Sequence, residues 1–184
     1  YNDKPCGSFG IAACYSFYGN KIITTGEGGM VITSDKTFAD KCRYHKNLCF
    51  PLEGERTYTH DDIGFNYRMT NVQAALGCAQ LERIEELIAR RRQNAIIYSQ
   101  HLSNLPGIQL PTERVECRNV YWMYGIVIDQ DKCGFTREML RNELKSKNID
   151  SRLFFNPLHT QGVLKKFKIK DTDSYPVSEY LASS

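Results

Sequence analysis

Short apolar or β-branched runs come first along the chain, at 11–15, 21–24 and 30–33. They are punctuated by Gly10, Gly19 and Gly26-Glu27-Gly28-Gly29. Runs of this length between glycine turns predict a strand-rich block over residues 1–35. The period then changes. Over 36–48, Phe38, Cys42 and His45 fall on one face of a predicted helix, and Asp35 is placed to cap it. Residues 49–69 hold Pro51, Gly54 and Gly64 and predict a loop.

The longest periodic signal follows. Thr70-Asn71-Val72-Gln73 has the form of a capping box. After it Val72, Leu76, Ala79, Ile84, Leu87, Ala95, Tyr98 and Leu102 recur mostly at three- and four-residue steps, and Glu86 can pair with Arg90 on the outer face. Unbroken to Ser103, this helix would run about 50 Å at 1.5 Å per residue. That outruns one small core, so a helix joining two domains is expected. Leu105-Pro106-Gly107 ends it. Residues 119–128 predict a strand rich in aromatic and β-branched positions. Residues 136–148 predict an amphipathic helix from an N-cap at Thr136, with Met139, Leu140 and Leu144 inward. Residues 149–155 predict another strand, and 176–184 a helix. The expected class is α/β in three parts: 1–69, a connecting helix over 70–104, and a small α/β domain over 105–184.

Composition changes this picture little. With 41% hydrophobic and 24% charged residues, the chain is of ordinary globular type. A formal charge of +3, with no stripe of basic and aromatic residues, gives no footprint for nucleic acid. The basic run over 165–170 reads as a solvated segment, with contact to a phosphorylated ligand as the alternative. No apolar run approaches the roughly 20 residues of a membrane helix. Seven cysteines, none in a C-x-x-C pair or at zinc spacing with the four histidines, suggest a reducing cytoplasm and no metal site. Cys14 is expected to be a small buried strand residue. The first residue is tyrosine, and the chain is expected to be an internal piece of a longer protein.

The chemistry concentrates around one amine. Lys21 follows Cys14-Tyr15-Ser16-Phe17-Tyr18-Gly19-Asn20 and precedes Thr24-Thr25-Gly26-Glu27-Gly28-Gly29. An isolated strand-edge lysine ordinarily keeps its head in water. Here, glycines on both sides let main chain come close to a ligand beside the amine. A second cluster, Gly64-Phe65-Asn66-Tyr67-Arg68-Met69 ahead of the capping box, offers Asn66 and Arg68 as anion donors near a helix N-terminus. Arg68 serves equally as a structural ion-pair partner. A third cluster runs from Ser151 to His159, where Arg152 and the aromatic pair Phe154-Phe155 around a Pro turn can stack on and clamp a nucleotide sugar, with Phe154 or Phe155 alternatively in the core.

These three segments resemble the sugar aminotransferases of the DegT/DnrJ/EryC1/StrS family. His60-Asp61-Asp62-Ile63 has the look of the perosamine-forming branch. The resemblance implies a partial fold-type-I α/β architecture and pyridoxal 5′-phosphate as cofactor. It makes Lys21 the covalent anchor and proton carrier, and Ser16 a donor to the cofactor phosphate. Asn66 then reaches the phosphate held by the other subunit of a homodimer, and Arg152, Phe154, His159 and Arg68 face substrate. The implied reaction is transamination of a nucleotide-linked keto-sugar, GDP-4-keto-6-deoxymannose, with glutamate as donor, in deoxyamino-sugar and polysaccharide biosynthesis. The upstream glycine-rich phosphate turn, ring-stacking aromatic and ring-nitrogen aspartate of that family have no counterpart in these residues. Two alternatives stay open. One is a pyridoxal-phosphate sugar dehydratase, which would carry histidine where Lys21 stands. The other is a non-catalytic fragment or interaction module.

Overall fold

The computed structural model describes residues 1–167 and 174–184. Two apolar runs of the first block form strands β1 (Ala12–Ser16) and β2 (Gly29–Thr33), paired antiparallel with Ala12 opposite Thr33 and Ser16 opposite Gly29. The third run does not. Residues 21–24 lie outside any strand, in the loop 17–28 that joins the two. The reason is local: Lys21 N–H donates to Tyr18 O at 3.0 Å, closing a turn on Gly19 and Asn20, and the hydroxyl of Thr24 turns inward to Phe17 O at 2.8 Å.

Helix α1 (Lys36–Lys46) begins where expected, because the Asp35 carboxylate accepts from Phe38 N–H. Its last carbonyls are satisfied by the segment that carries the second cluster: Phe65 N–H donates to His45 O at 2.7 Å and Tyr67 N–H to Lys46 O at 3.0 Å. Gly64 makes that approach possible, since a Cβ there would lie 2.3 Å from the Leu48 carbonyl carbon.

The long helix is interrupted. Helix α2 (Asn71–Leu81) starts at the capping box, with both reciprocal bonds present, and α3 (Ile84–Leu102) starts after a turn at Glu82 and Arg83. At Arg83 the ladder tightens to a bond with Gln80 O, three residues back. The apolar spacing carries a trace of this in the five-residue step from Ala79 to Ile84. Glu86 does pair with Arg90, at 2.7 Å.

Beyond Leu102, β3 (Ile108–Gln109) pairs antiparallel with β4 (Val127–Ile128), followed by a one-turn α4 (Gln130–Cys133), α5 (Arg137–Ser146, capped by Thr136) and α6 (Pro176–Ser183). The strand expected over 119–128 is reduced to its last two residues. Tyr121 sits at φ +49°, a left-handed conformation no strand accepts, and Asn119 Oδ1 takes its N–H at 2.8 Å. The strand expected over 149–155 is absent too: among the described residues nothing pairs with it, and Asn148 just ahead of it is left-handed at φ +60°. Of the basic run 165–170, residues 168–170 lie outside the described residues.

The chain divides into two compact units, 1–93 with 113–122, and 94–112 with 123–184. The first buries Thr25, Cys49 and Phe50, and the second Ala95, Val127 and Ile128. Much of the apolar pattern is not covered. Met30, Val31 and Ile32 of β2 and Leu76 of α2 are about half exposed, Val72 is more so, and Phe38 is exposed at 36%. A two-stranded sheet cannot cover its own apolar faces. Cys14 is likewise exposed, correcting its reading as a buried strand residue.

Candidate functional site

In the first unit the lysine loop is pinned from inside and from α2. Phe17 N–H donates to Gly28 O and Thr25 N–H to Phe17 O, both at 2.9 Å, so the loop closes directly above the last rung of the hairpin. The buried Thr25 hydroxyl donates to Glu27 O at 2.7 Å, which satisfies it. Gly28 packs so close that a Cβ would fall 2.3 Å from Thr25 Oγ1 and 2.9 Å from Met69 Cε. Two glutamines then hold the loop to α2. Gln80 accepts from Thr24 N–H at 3.0 Å and donates to Thr24 O at 2.7 Å, and Gln73 donates to Glu27 O at 3.0 Å. Glutamines seven residues apart stand two helical turns apart on one face. That spacing was the available signal for Gln80, which sequence reasoning missed.

Lys21 is half-buried on this loop. Its Nζ lies 3.2 Å from the centroid of the Trp122 ring, and among the described residues no carboxylate is within ion-pair distance of it. The Trp122 Nε1–H donates to Asn20 O at 2.7 Å, tying the same ring to the residue before the lysine. Trp122 was expected only as a strand residue.

Ser16 ends β1 and is exposed. Its Oγ accepts from Tyr18 N–H at 3.4 Å, and among the described residues its own proton has no acceptor. Asn66 is exposed beside Asn47, with which it forms an isolated bridge. Arg68 Nε donates to Asn66 Oδ1 at 2.9 Å and its Nη1 to Asn47 Oδ1 at 3.3 Å. Arg68 is thus no ion-pair partner among the described residues. It orients Asn66: with Oδ1 engaged by a donor, the Asn66 NH₂ is the free edge. Among the described residues, no hydrogen bond joins Asn66 or Arg68 to Lys21 or Ser16.

The segment ahead of Trp122 is held by α3. Arg92 grips Glu113 with two bonds of 2.6 and 3.0 Å and also donates to Asn119 O at 2.6 Å, while Asn119 N–H donates back to Glu113 at 2.5 Å. The Arg92 hydrogen bond, aided by the Asn119 N–H, holds the Glu113 carboxyl below the usual glutamate range despite an opposing desolvation.

The third cluster lies in the second unit. Arg152 bonds Asp150 at 2.7 Å and is exposed. Phe154 packs on Gly125, where a Cβ would come within 2.7 Å of its ring, whereas Phe155 is 81% exposed. His159 Nε2 lies 2.9 Å from Glu179 Oε1 and its ring lies on Tyr175, centroids 4.7 Å apart. The seven cysteines are free thiols, and among the described residues no group of His, Cys, Asp or Glu could hold a metal ion. No helix among them is long and apolar enough to cross a membrane.

The first unit thus presents one amine on a pinned glycine-rich loop, over an aromatic ring and, among the described residues, without a carboxylate partner. The family model of the DegT/DnrJ/EryC1/StrS aminotransferases matches residues 1–184, and the chain belongs to that family. It is 45% identical over 181 residues to the GDP-perosamine synthase of Escherichia coli O157:H7, covering 98% of this chain and 47% of that protein. Its fold is similar to the aminotransferase TlmJ from Streptoalloteichus hindustanus, with a TM-score of 0.84 and 26% identity over 99% of this chain and 47% of that one. It also matches the E. coli GDP-4-keto-6-deoxy-D-mannose-3-dehydratase with bound hydrated PLP, at a TM-score of 0.86 over 100% of this chain and 51% of that one. At 23% identity this is a likeness of fold. The α/β architecture is therefore a partial fold-type-I one. The chain spans about half the length of the curated relatives it matches.

Proposed function

We propose that this chain is the lysine-bearing part of a pyridoxal-phosphate-dependent nucleotide-sugar aminotransferase, with GDP-4-keto-6-deoxymannose as acceptor and glutamate as amino donor. The observation that carries the reading is the Lys21 amine, half-buried on a loop pinned by Gln73 and Gln80 and engaged by an aromatic face instead of a carboxylate. The choice of acceptor is supported by the 45% identity to a GDP-perosamine synthase and by His60-Asp61-Asp62-Ile63.

The residues present fit the cofactor. Ser16 keeps a hydroxyl proton to give a phosphate oxygen, and Asn66, with its Oδ1 engaged by Arg68, keeps its NH₂ to donate. Bound here, pyridoxal phosphate would supply an amine-reactive carbonyl carbon and an electron-accepting ring. Lys21 Nζ would hold the cofactor, and its amine, when free, would move the proton at the carbon that gains nitrogen. Asn66 serves the phosphate of a second copy, which makes the active form a homodimer. Arg152, Phe154 and His159 are assigned to the sugar nucleotide. Residues 1–69 are taken as the end of the cofactor domain, 70–104 as the connection, and 105–184 as the small domain.

A dehydratase reading has less support, because the loop over 17–28 presents a lysine and no histidine. The test is intact-mass spectrometry after incubation with pyridoxal phosphate and borohydride, on this chain and on a longer one. A single phosphopyridoxyl adduct at Lys21, abolished by Lys21→Ala, is expected. An adduct on the longer chain alone identifies the 184 residues as an incompetent fragment, and none on either refutes the proposal.

A further inference from the structure

We propose that Trp122 is the positioning residue that receives the Lys21 amine whenever that amine carries no covalent bond. For its link to catalysis this rests on the reading above, whereas the contact itself needs no cofactor. Three observations converge on it. The ammonium lies 3.2 Å from the ring centroid, over the negative face of the indole. The indole N–H donates to Asn20 O at 2.7 Å, inside the turn that Lys21 closes, so ring and lysine share one frame.

The third is the path of the chain that delivers the ring. Arg92 and Glu113 clamp Asn119, and Asn119 Oδ1 holds Tyr121 in a left-handed conformation at φ +49°. A non-glycine residue adopts that conformation only where its surroundings over-determine it. With Tyr121 turned this way, Trp122 is delivered to the lysine and the predicted strand is broken. The local strain and the placement of the ring are one feature.

The chemistry of the choice is specific. A carboxylate beside Lys21 would bind the ammonium more tightly and hold it in the charged, non-nucleophilic form. An aromatic face attracts the cation without accepting a proton or acting as a nucleophile, and it releases the amine at small cost. The ring engages the free amine and loses that contact when the amine is covalently held, so it lowers the cost of displacing the lysine. By linkage, removing the face shifts the equilibrium toward the covalently held form by the factor the contact contributed, about two- to thirty-fold for a cation–π contact. A merely structural tryptophan predicts the opposite, a loss of cofactor hold as the site loosens.

Two measurements test this. The chain contains one tryptophan, so its emission reports on Trp122 alone. In the 184-residue chain without cofactor, Lys21→Met is expected to change emission intensity, and Lys21→Arg to restore it, since a guanidinium also seats on aromatic faces. Identical emission in wild type and Lys21→Met, at unchanged circular dichroism, overturns the contact.

In the protein form that takes up cofactor, titration with pyridoxal phosphate followed by borohydride trapping compares wild type with Trp122→Leu and Trp122→Phe. Tighter covalent hold at Lys21 in Trp122→Leu, with Trp122→Phe near wild type, is expected. Weaker or unchanged hold in Trp122→Leu overturns the landing role. If no form, wild type included, holds cofactor, the proposed function fails and the landing role falls with it. The emission measurement still decides the contact.

Discussion

Gln80 is the test of whether the lysine loop depends on α2 for its shape. Its side-chain amide behaves like a strand neighbour of Thr24, accepting the N–H at 3.0 Å and donating to the carbonyl at 2.7 Å. Gln80→Ala removes both bonds and leaves α2 otherwise intact, because alanine is a better helix former than glutamine. A net 0.5–1.5 kcal/mol per hydrogen bond gives about 2 kcal/mol for the pair, with Thr24 half-buried and partly open to compensating water. At 1.4 kcal/mol per decade, that is roughly a thirty-fold increase in local opening. The assay is residue-resolved amide hydrogen exchange. Protection at Thr24 is expected to fall by about that factor. The Thr25 amide, bonded to Phe17 O inside the loop, should fall less. Equal exchange at Thr24 in wild type and Gln80→Ala would refute the claim that α2 pins the loop. Equal loss across the whole chain would show global destabilisation instead.

Three further outcomes follow from the geometry. Thr70→Ala removes the capping box at the start of α2 and should cost about 1 kcal/mol, a fall in Tm of roughly 2–4 °C for a chain of this size. Gly64→Ala places a Cβ within 2.5 Å of the Leu48–Cys49 backbone, both residues already at positive φ, and should destabilise the first unit by more than about 1 kcal/mol in urea unfolding. The Glu113 carboxyl is held below its ordinary value of 4.5 in the folded state, chiefly by Arg92. The stability it contributes is therefore present above that value and is lost as pH falls through the folded-state value. Glu113→Gln should flatten the acid limb of stability against pH below about 4.5, and an unchanged limb would show that other carboxyls dominate it.

What the residues dictated locally was legible. Asp35, Thr70 and Thr136 each cap a helix at the predicted position, because a side-chain oxygen three residues ahead of an unpaired N–H is a contact within one turn of chain. The Gly19-Asn20 turn and the Gly-rich return to β2 were legible for the same reason, and so was the single amine they present. What failed depended on distant partners. The strand pattern over 119–128 was real, but Glu113 and Arg92 hold Asn119, and Asn119 turns Tyr121 out of the extended region. The long helix is interrupted next to Gln80, whose side chain is engaged with Thr24, 56 residues away. The predicted apolar faces of β2 and α2 stand half exposed, since periodicity names a face without naming what covers it.

By itself, then, the sequence determined the caps, the turns, the lysine and its family, all encoded in contiguous residues. Only the tertiary structure decided what the amine touches. The Trp122 indole reaches Lys21 from 101 positions away through an arginine, a glutamate and an asparagine, and no local propensity encodes a contact made at that separation.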